Sequence, residues 1–164
     1  MICPARAFWA GWIDIGDNPY EGGVKIQAGE GLWTSCTGDG FNLQSSGEVP
    51  QSGVEVELQN FGLSVANATP VQVDLINCIV TGYKDEQGEG EAGGEVNVQT
   101  LNEFGQTVGS YFWYDMPGEG ILGWIDIGDN PLEEGDVPVE PGAGLWTSCS
   151  GDGFNFVWPG VEIK

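Results

Sequence analysis

The chain contains no histidine, which removes the usual routes to hydrolysis. Ser-His-Asp and Cys-His arrangements both need an imidazole base. The common zinc sites lack a ligand set, because no C-x-x-C spacing occurs among the four cysteines. Glycine-rich phosphate loops are also missing, and acids are so abundant that no carboxylate pair stands out as hydrolytic. The sequence therefore predicts that the protein is not an enzyme.

Positive charge is nearly as scarce. The 164 residues include 25 acids and only four basic residues, so the formal net charge is −21. Such a chain repels phosphate backbones and anionic headgroups, and we expect no nucleic-acid partner. We interpret the acids as a solvated, aggregation-resistant surface, and the alternative is that some of them gather cations.

Long apolar runs are absent as well. No run approaches the roughly 18 residues of a membrane span, so no membrane insertion is expected. The segment Met1–Ala7 lacks the basic and apolar regions of a secretory signal. Either the protein is assembled inside a cell, as virion proteins are, or the numbering begins after a removed leader. We expect an extracellular or virion-surface location.

What the chain does contain is a duplicated block, at Gly11–Asn42 and again at Gly123–Asn155. About two dozen of some thirty aligned positions are identical, with one residue inserted near Leu132. A duplication this close predicts the same local fold in both copies. It is more typical of filaments, lattices and multivalent binders than of an asymmetric catalytic site.

Apolar residues alternate with period two throughout the chain, which is typical of half-buried strands. The clearest alternating segments are Val54–Leu58, Val71–Leu75, Val96–Leu101 and Gly160–Ile163. Each repeat copy is predicted to form short strands joined by turns, and no segment has helical periodicity. The predicted fold class is all-β, an antiparallel β-sandwich or barrel built from an imperfect internal duplication.

One hairpin is predicted in detail. The segment Leu101–Gln106 is a loop with Gly105 at positive φ. It joins a strand that ends near Leu101 to the aromatic strand Val108–Tyr114.

The two copies lie in unequal contexts. About seventy residues, Gly53–Leu122, precede the second copy and have no counterpart before the first. We predict a half-unit at 1–52 and a complete unit at 53–164. The half-unit would leave edges uncovered, so either the rest of the same chain or strand addition by a neighbouring subunit must cover them. The intrachain solution is slightly favoured.

Acidic and amide side chains recur at equivalent turns. Closely spaced carboxylate and amide oxygens are what Ca²⁺ requires, although the spacing does not match an EF-hand. The alternative is turn chemistry, in which Asp and Asn bond their own backbone. No cofactor other than calcium is expected. The predicted ligands are Asp14, Asp17, Asn18 and Asp39 in the first copy and Asp126, Asp129, Asn130 and Asp152 in the second.

Cysteines and tryptophans each allow two interpretations. The preferred disulfides are Cys78–Cys149 and Cys3–Cys36, and the alternative is buried reduced thiols. The tryptophans either fill the core or lie exposed, where they could stack on sugars or anchor a partner. Two further features are the acidic loop Asp85–Gly94, predicted to be a solvated hairpin tip, and the sequon at Asn67–Thr69.

These features predict a non-enzymatic structural protein that self-assembles into an extracellular filament, surface layer or virion component. Its partners would be copies of itself, joined head to tail in a homopolymer. The predicted apolar anchors of that contact are Phe8, Trp9 and Trp158. The alternative function is a secreted β-sandwich binding module for glycans or a protein partner, with or without calcium.

Overall fold

The computed structural model describes residues 27–32, 51–59, 63–67, 69–85, 88–89, 92–102 and 104–160. Within these ranges the regular secondary structure is nearly all strand, no α-helix occurs, and every strand pair is antiparallel. The predicted all-β fold class is confirmed. The strands are β1 Val54–Gln59, β2 Leu63–Ala66, β3 Val73–Asp74, β4 Ile79–Asp85, β5 Gly88–Glu89, β6 Gly93–Leu101, β7 Thr107–Met116, β8 Ile121–Asp126, β9 Pro138–Val139, β10 Gly144–Cys149 and β11 Gly153–Trp158.

The strands form two main sheets. Sheet I has the order β1-β11-β4-β5, and sheet II has the order β2-β10-β6-β7-β8. A separate ladder pairs β3 with β9. Ring contacts join the two main sheets, since Trp124 of sheet II lies 6.1 Å from Phe156 of sheet I. The sheets therefore face each other across one core, as in a sandwich.

Aromatic side chains cross that core in a continuous series. Trp113 packs edge-on against Trp124 at 5.2 Å, and Phe156 packs edge-on against Trp158 at 5.0 Å. The Trp124 indole N–H donates to the Cys78 carbonyl at 2.7 Å, so its polar edge is satisfied inside the core. Such ring pairs each contribute about 0.5–1.5 kcal/mol beyond the burial of their area.

The sequence located most strands well. β1 and β6 contain the predicted alternating segments, and the predicted hairpin joins β6 to β7, with Gly105 at φ 73°. In the second copy β8, β10 and β11 follow the predicted order. Most of Gly160–Ile163 lies outside the described residues.

The predicted strand at Val71–Leu75 is wrong. Only Val73–Asp74 is strand, and a 3-10 helix follows at Leu75–Asn77. The cause is Asn67, whose side-chain amide donates to the carbonyls of Val71 at 2.9 Å and Val139 at 2.8 Å. These bonds hold the chain in a bend just before β3, and Val71 points to solvent instead of pairing.

Asn67 is also the sequon asparagine, and it is only 2% exposed. Its carbonyl oxygen accepts from the backbone N–H of Thr69 at 3.0 Å and from the Thr69 hydroxyl at 2.7 Å. Both N–H groups of its amide are already donated, as described above. The sequon therefore serves as a buried structural tether in the folded protein.

One stretch of the first repeat copy is described, and it has the same turn as its counterpart. Gly29 has φ 84°, and Gly142 at the equivalent position has φ 77°. The Glu30 N–H donates to Gln27 O at 3.1 Å, just as the Ala143 N–H donates to Glu140 O at 2.9 Å. The duplicated sequence thus gives the same local conformation here.

This turn of the first copy packs on the unit that carries the second. The Gly29 carbonyl accepts from the Ala66 N–H at 2.9 Å, and Glu30 forms an antiparallel bridge with Val65 of β2. A methyl group on Gly29 would lie 2.6 Å from Val56 and 3.3 Å from Trp158. At this point the cover is intrachain. Residues 1–26 and 33–50 lie outside the described residues, so the domain division at 52 stays a prediction.

A matched pair of glycine substitutions tests this contact. Gly142→Ala adds a methyl group into open space at positive φ, which should cost about 1 kcal/mol of unfolding free energy. Gly29→Ala adds the same backbone strain plus a clash with Val56, which should cost about 1–3 kcal/mol more. Urea unfolding followed by tryptophan fluorescence measures both. Equal losses for the two variants would show that the first-copy turn is not packed against β1.

Candidate functional site

The outer face of sheet II is the candidate site. In β6 the side chains of Val96 and Val98 point into the core, so Asn97 and Gln99 point outward. The register places outward residues of four strands in rows across the sheet. We call this surface the neutral face. Its members, all half-buried, are Asn97, Gln99, Ser110, Phe112, Tyr114, Ile125 and Ser148.

The central row runs across four strands. Ser148 pairs with Asn97, Asn97 with Phe112, and Phe112 with Ile125. Trp146 lies opposite Gln99 at the β10 margin of the face and is also half-buried. An aromatic and an aliphatic side chain thus lie beside an amide and a hydroxyl.

Hydrogen bonds fix the two amides of the neutral face. The Thr107 hydroxyl donates to the Gln99 carbonyl oxygen at 2.9 Å, and the Gln99 amide donates to the Asn97 carbonyl oxygen at 3.2 Å. The Asn97 amide in turn donates to the Tyr111 backbone carbonyl at 3.1 Å. Each amide carries two N–H groups and this ladder uses one of each. Both amides are therefore oriented and still have a donor to offer.

Tyr114 extends the face along β7 between glycines. It is paired with Gly93 on β6 and with Gly123 on β8. The phenol leans over Gly94, where a methyl group would lie 2.7 Å from its hydroxyl oxygen. Gly94, at φ 97°, is thus required both by its backbone conformation and by the ring above it. On the other side a methyl at Gly123 would meet nothing within 4 Å, which leaves a shallow trough.

Charge separates the two outer faces of the sandwich. The outer face of sheet I carries Glu55 and Glu57, and Glu55 accepts from the Asn155 amide at 2.7 Å. No member of the neutral face is charged. Glu95 is the next outward residue of β6 and is exposed, and its carboxylate lies beside Gly93, the β6 partner of Tyr114, where it accepts from the Gly93 backbone N–H. In a chain with 25 acids, a neutral surface rich in aromatic side chains has the composition of a binding surface.

The structure supports turn chemistry at the second-copy acids. One Asp126 oxygen accepts from the backbone N–H groups of Gly128 and Asn130, both at 2.8 Å, and both oxygens accept from the Asn130 amide at 3.1 Å. Donation from the Asn130 backbone N–H is the main reason that the Asp126 pKa lies below its ordinary value. Asp129 adopts φ 61° in the same turn.

The fold does not bring Asp152 to this turn. Two strands, β6 and β7, separate β8 from β10, and the backbone N–H of Asp152 donates to the Lys84 carbonyl of sheet I, so Asp152 is not a neighbour of Asp126. Among the described residues, no three acidic or cysteine side chains gather as a cation site requires. Calcium binding stays a prediction, and its first-copy ligands Asp14, Asp17, Asn18 and Asp39 lie outside the described residues.

The preferred disulfide Cys78–Cys149 is not formed, because both residues are buried free thiols. Cys78 follows the 3-10 helix, while Cys149 ends β10 and donates from its thiol to the Gly151 carbonyl at 3.5 Å. Burial raises the pKa of Cys78 to about 12 and also raises the pKa of Cys149. The alternative of buried reduced thiols holds for these two. Cys3 and Cys36 lie outside the described residues.

Of the four tryptophans that the structure describes, three lie in the core. These are Trp113, Trp124 and Trp158, with Trp158 fully buried. Its burial contradicts the predicted role of Trp158 as an apolar anchor between chains, since it packs against Phe156 and lies close to Gly29 of the same chain. The other predicted anchors, Phe8 and Trp9, lie outside the described residues.

Two other features are less suited to be the site. An open cleft of about 150 Å³ lies between β4 and β7 and contains one carboxylate, that of Asp115. Ligand pockets usually span about 300–1,000 Å³. The acidic segment forms a hairpin through the pairing of Lys84 with Glu89, and residues 86–87 and 90–91 are not described.

Comparison of the chain with models of known protein families, with curated proteins and with solved structures finds no match. Within the described ranges, no helix has the length and hydropathy needed to cross a membrane. The function is therefore inferred from the chemistry of the surface itself.

The thiols provide a direct test. Because burial raises the pKa of Cys78 to about 12, we expect iodoacetamide to label it only after denaturation. Peptide mapping by mass spectrometry without reductant measures this for each cysteine. A Cys78–Cys149 linked peptide, or rapid labelling of Cys78 in the native protein, would contradict the structure.

The Asp126 turn provides a pH test. Since its folded pKa is depressed, Asp126 stabilises the protein above its ordinary pKa of 3.8, and this contribution is lost as the pH falls through the lower folded value. Asp126→Asn should lower the melting temperature at neutral pH, and the difference from wild type should shrink in acid. Asp129→Asn is the control, because no described hydrogen bond reaches its side chain and Asn tolerates positive φ.

The same melts with calcium and with chelator test the predicted cation site. If Asp126 acts only in the turn, Asp126→Asn should lower the melting temperature by the same amount with calcium and with chelator. A decrease seen only with calcium would instead favour a bound ion.

Proposed function

We propose that the protein is a non-enzymatic binding module and that the neutral face is its binding surface. The observation that carries the proposal is the contrast between a chain of net charge −21 and an outer sheet face with seven uncharged, half-buried residues, beside which Glu95 is the neighbouring carboxylate on β6. Binding-surface cores are depleted in charge and enriched in Tyr, Trp and Phe. Phe112, Tyr114 and the adjacent Trp146 give this face that composition.

The order of the face supports the same proposal. Association costs free energy whenever side chains lose rotamer freedom at the contact. Here the ladder from Thr107 through Gln99 to Asn97 already holds both amides in place. The glycine at position 94 lets the Tyr114 ring lie flat against β6. A ligand would thus contact side chains that are already ordered by folding, so little further rotamer entropy would be lost on binding.

The shifted ionisable groups favour binding over catalysis. A nucleophilic cysteine needs a lowered pKa, whereas burial raises the pKa of both Cys78 and Cys149. The lowered pKa of Asp126 comes from bonds that close its own turn. These shifts follow from structure and supply no acid or base to a reaction.

Self-assembly is the second candidate, and one observation favours it. Residues 27–32 of the first copy pack on β1 and β2 of the unit that carries the second copy. The same contact made between chains would join copies head to tail and build a filament, layer or virion component. It ranks second because Trp158, its predicted anchor, is core. An extracellular or virion-surface location is proposed for either function.

A pair of lysine substitutions tests the proposal. Phe112→Lys places a charge in the centre of the neutral face, and Val157→Lys places one at a half-buried outward position of sheet I. Binding to an oligosaccharide array or self-association in sedimentation velocity should be lost in Phe112→Lys and kept in Val157→Lys. Circular dichroism confirms that both variants are folded.

Two outcomes would count against the neutral face. One is equal behaviour of the two variants in every assay in which the wild-type protein binds. The other is wild-type polymerisation that persists in Phe112→Lys but disappears when Met1–Ala10 is deleted, which would favour self-assembly instead.

A further inference from the structure

We propose that the ligand of the neutral face is an uncharged oligosaccharide. The oligosaccharide lies along β7, with sugar rings stacked on Phe112 and Tyr114 and hydroxyls bonded to Asn97 and Gln99 of the neighbouring strand. This inference rests on the proposed function and adds the chemical class of the ligand.

Size is the first argument. The face spans four strands and three rows of outward residues. Strands are about 4.8 Å apart and rows about 6.8 Å apart, so the Cα positions of the face cover roughly 14 Å by 14 Å, or about 200 Å². A stable protein interface buries about 800 Å² on each partner. The face is too small for a folded protein and of a suitable size for a short oligosaccharide.

Charge is the second argument. An anionic ligand, such as an acidic or sulfated sugar, would be repelled by a protein of net charge −21 and would meet no cation on this face. A cationic ligand would be attracted more strongly by the glutamates on the outer face of sheet I, Glu55 and Glu57. A neutral ligand has no such preference and matches the seven uncharged residues of the neutral face.

Hydrogen-bonding chemistry is the third argument. A pyranose presents an apolar C–H face and a ring of hydroxyls that both donate and accept. Aromatic rings such as Phe112 and Tyr114 can pack on the C–H face. The hydroxyls match primary amides, which offer a donor and an acceptor side by side. The spare N–H groups of Asn97 and Gln99 and the hydroxyls of Ser110 and Ser148 supply such partners in the row of Phe112 and in the next row.

The spacing of the rings and amides favours an extended ligand over a single sugar. Phe112 and Tyr114 are successive outward residues of β7, about 6.8 Å apart, while the amides lie on the neighbouring strand β6. Asn97 lies directly opposite Phe112, but Gln99 and Tyr114 are two rows apart, or about 14 Å along the strands, so a single sugar ring cannot reach both.

Titration calorimetry with neutral hexasaccharides tests the inference. The probes are the hexamers of β-linked glucose, xylose and mannose and of α-linked glucose, with an oligogalacturonate as the anionic probe. We expect the full-length protein to bind at least one neutral probe and not the anionic one. Phe112→Leu, which keeps the apolar volume but removes the ring, should weaken that binding about tenfold or more.

Matched variants separate stacking from general damage. Phe112→Tyr keeps the ring and should bind like the wild type, and Val157→Ala on the opposite outer face should also bind normally. Gln99→Leu should weaken binding, because it removes one oriented amide. Melting temperatures are measured for all four variants, and any variant that does not fold is replaced by Ser110→Ala, for which modestly weaker binding is expected.

Three results would overturn the inference: no binding of any neutral probe, preference for the anionic probe, or sugar binding that is unchanged in both Phe112→Leu and Gln99→Leu. The first two leave the proposed function standing if Phe112→Lys still abolishes self-association or array binding. The third removes the neutral face itself, and the proposed function then fails with it.

Discussion

The rest of the structure depends on the aromatic series Trp113, Trp124, Phe156 and Trp158, which crosses from sheet II to sheet I. It determines which side of β7, β8 and β11 faces inward, because side chains alternate along a strand and one fixed residue orients all the others. The Trp124 N–H bond to Cys78 then ties β8 to the turn before β4. With Trp113 held inward, its neighbours Phe112 and Tyr114 must point outward. The neutral face is therefore a geometric consequence of the core.

The sequence could predict the strands but not which aromatic side is buried. Period-two alternation identified β1 and β6, and Gly105 marked the hairpin, since both signals are local. In Val108–Tyr114, however, aromatic residues occupy both phases of the alternation, so periodicity alone could not separate Trp113 from Phe112. The Val71–Leu75 error has a related cause. Its alternation is real, but the bend imposed by Asn67 depends on β9, 72 positions away in the chain.

The neutral face itself was missed, although a signal existed. The alternating segment Val96–Leu101 predicts a strand, but its polar phase was not singled out. That phase has the two amides Asn97 and Gln99, whereas the polar phase of Val54–Leu58 has the two carboxylates Glu55 and Glu57. Absence of charge at successive outward positions would have distinguished it. The hydrogen-bond ladder and the cross-strand neighbour Phe112 could not be predicted, because register is a tertiary property.

The two copies of the duplicated block both contact β2. Val65 pairs with Leu145 of the second copy on one side and bridges to Glu30 of the first copy on the other. On the first side the turn at Gly142 donates to the Asn67 carbonyl at 2.8 Å, and on the second the turn at Gly29 accepts from the Ala66 N–H at 2.9 Å. Equivalent turns of the two copies thus contact the two sides of this one short strand. Because β2 already has a partner on both sides at this point, its edge is covered within one chain, and no neighbouring subunit is needed to protect it. The described part of the first copy, residues 27–32, thus completes the covering of β2 from within the chain.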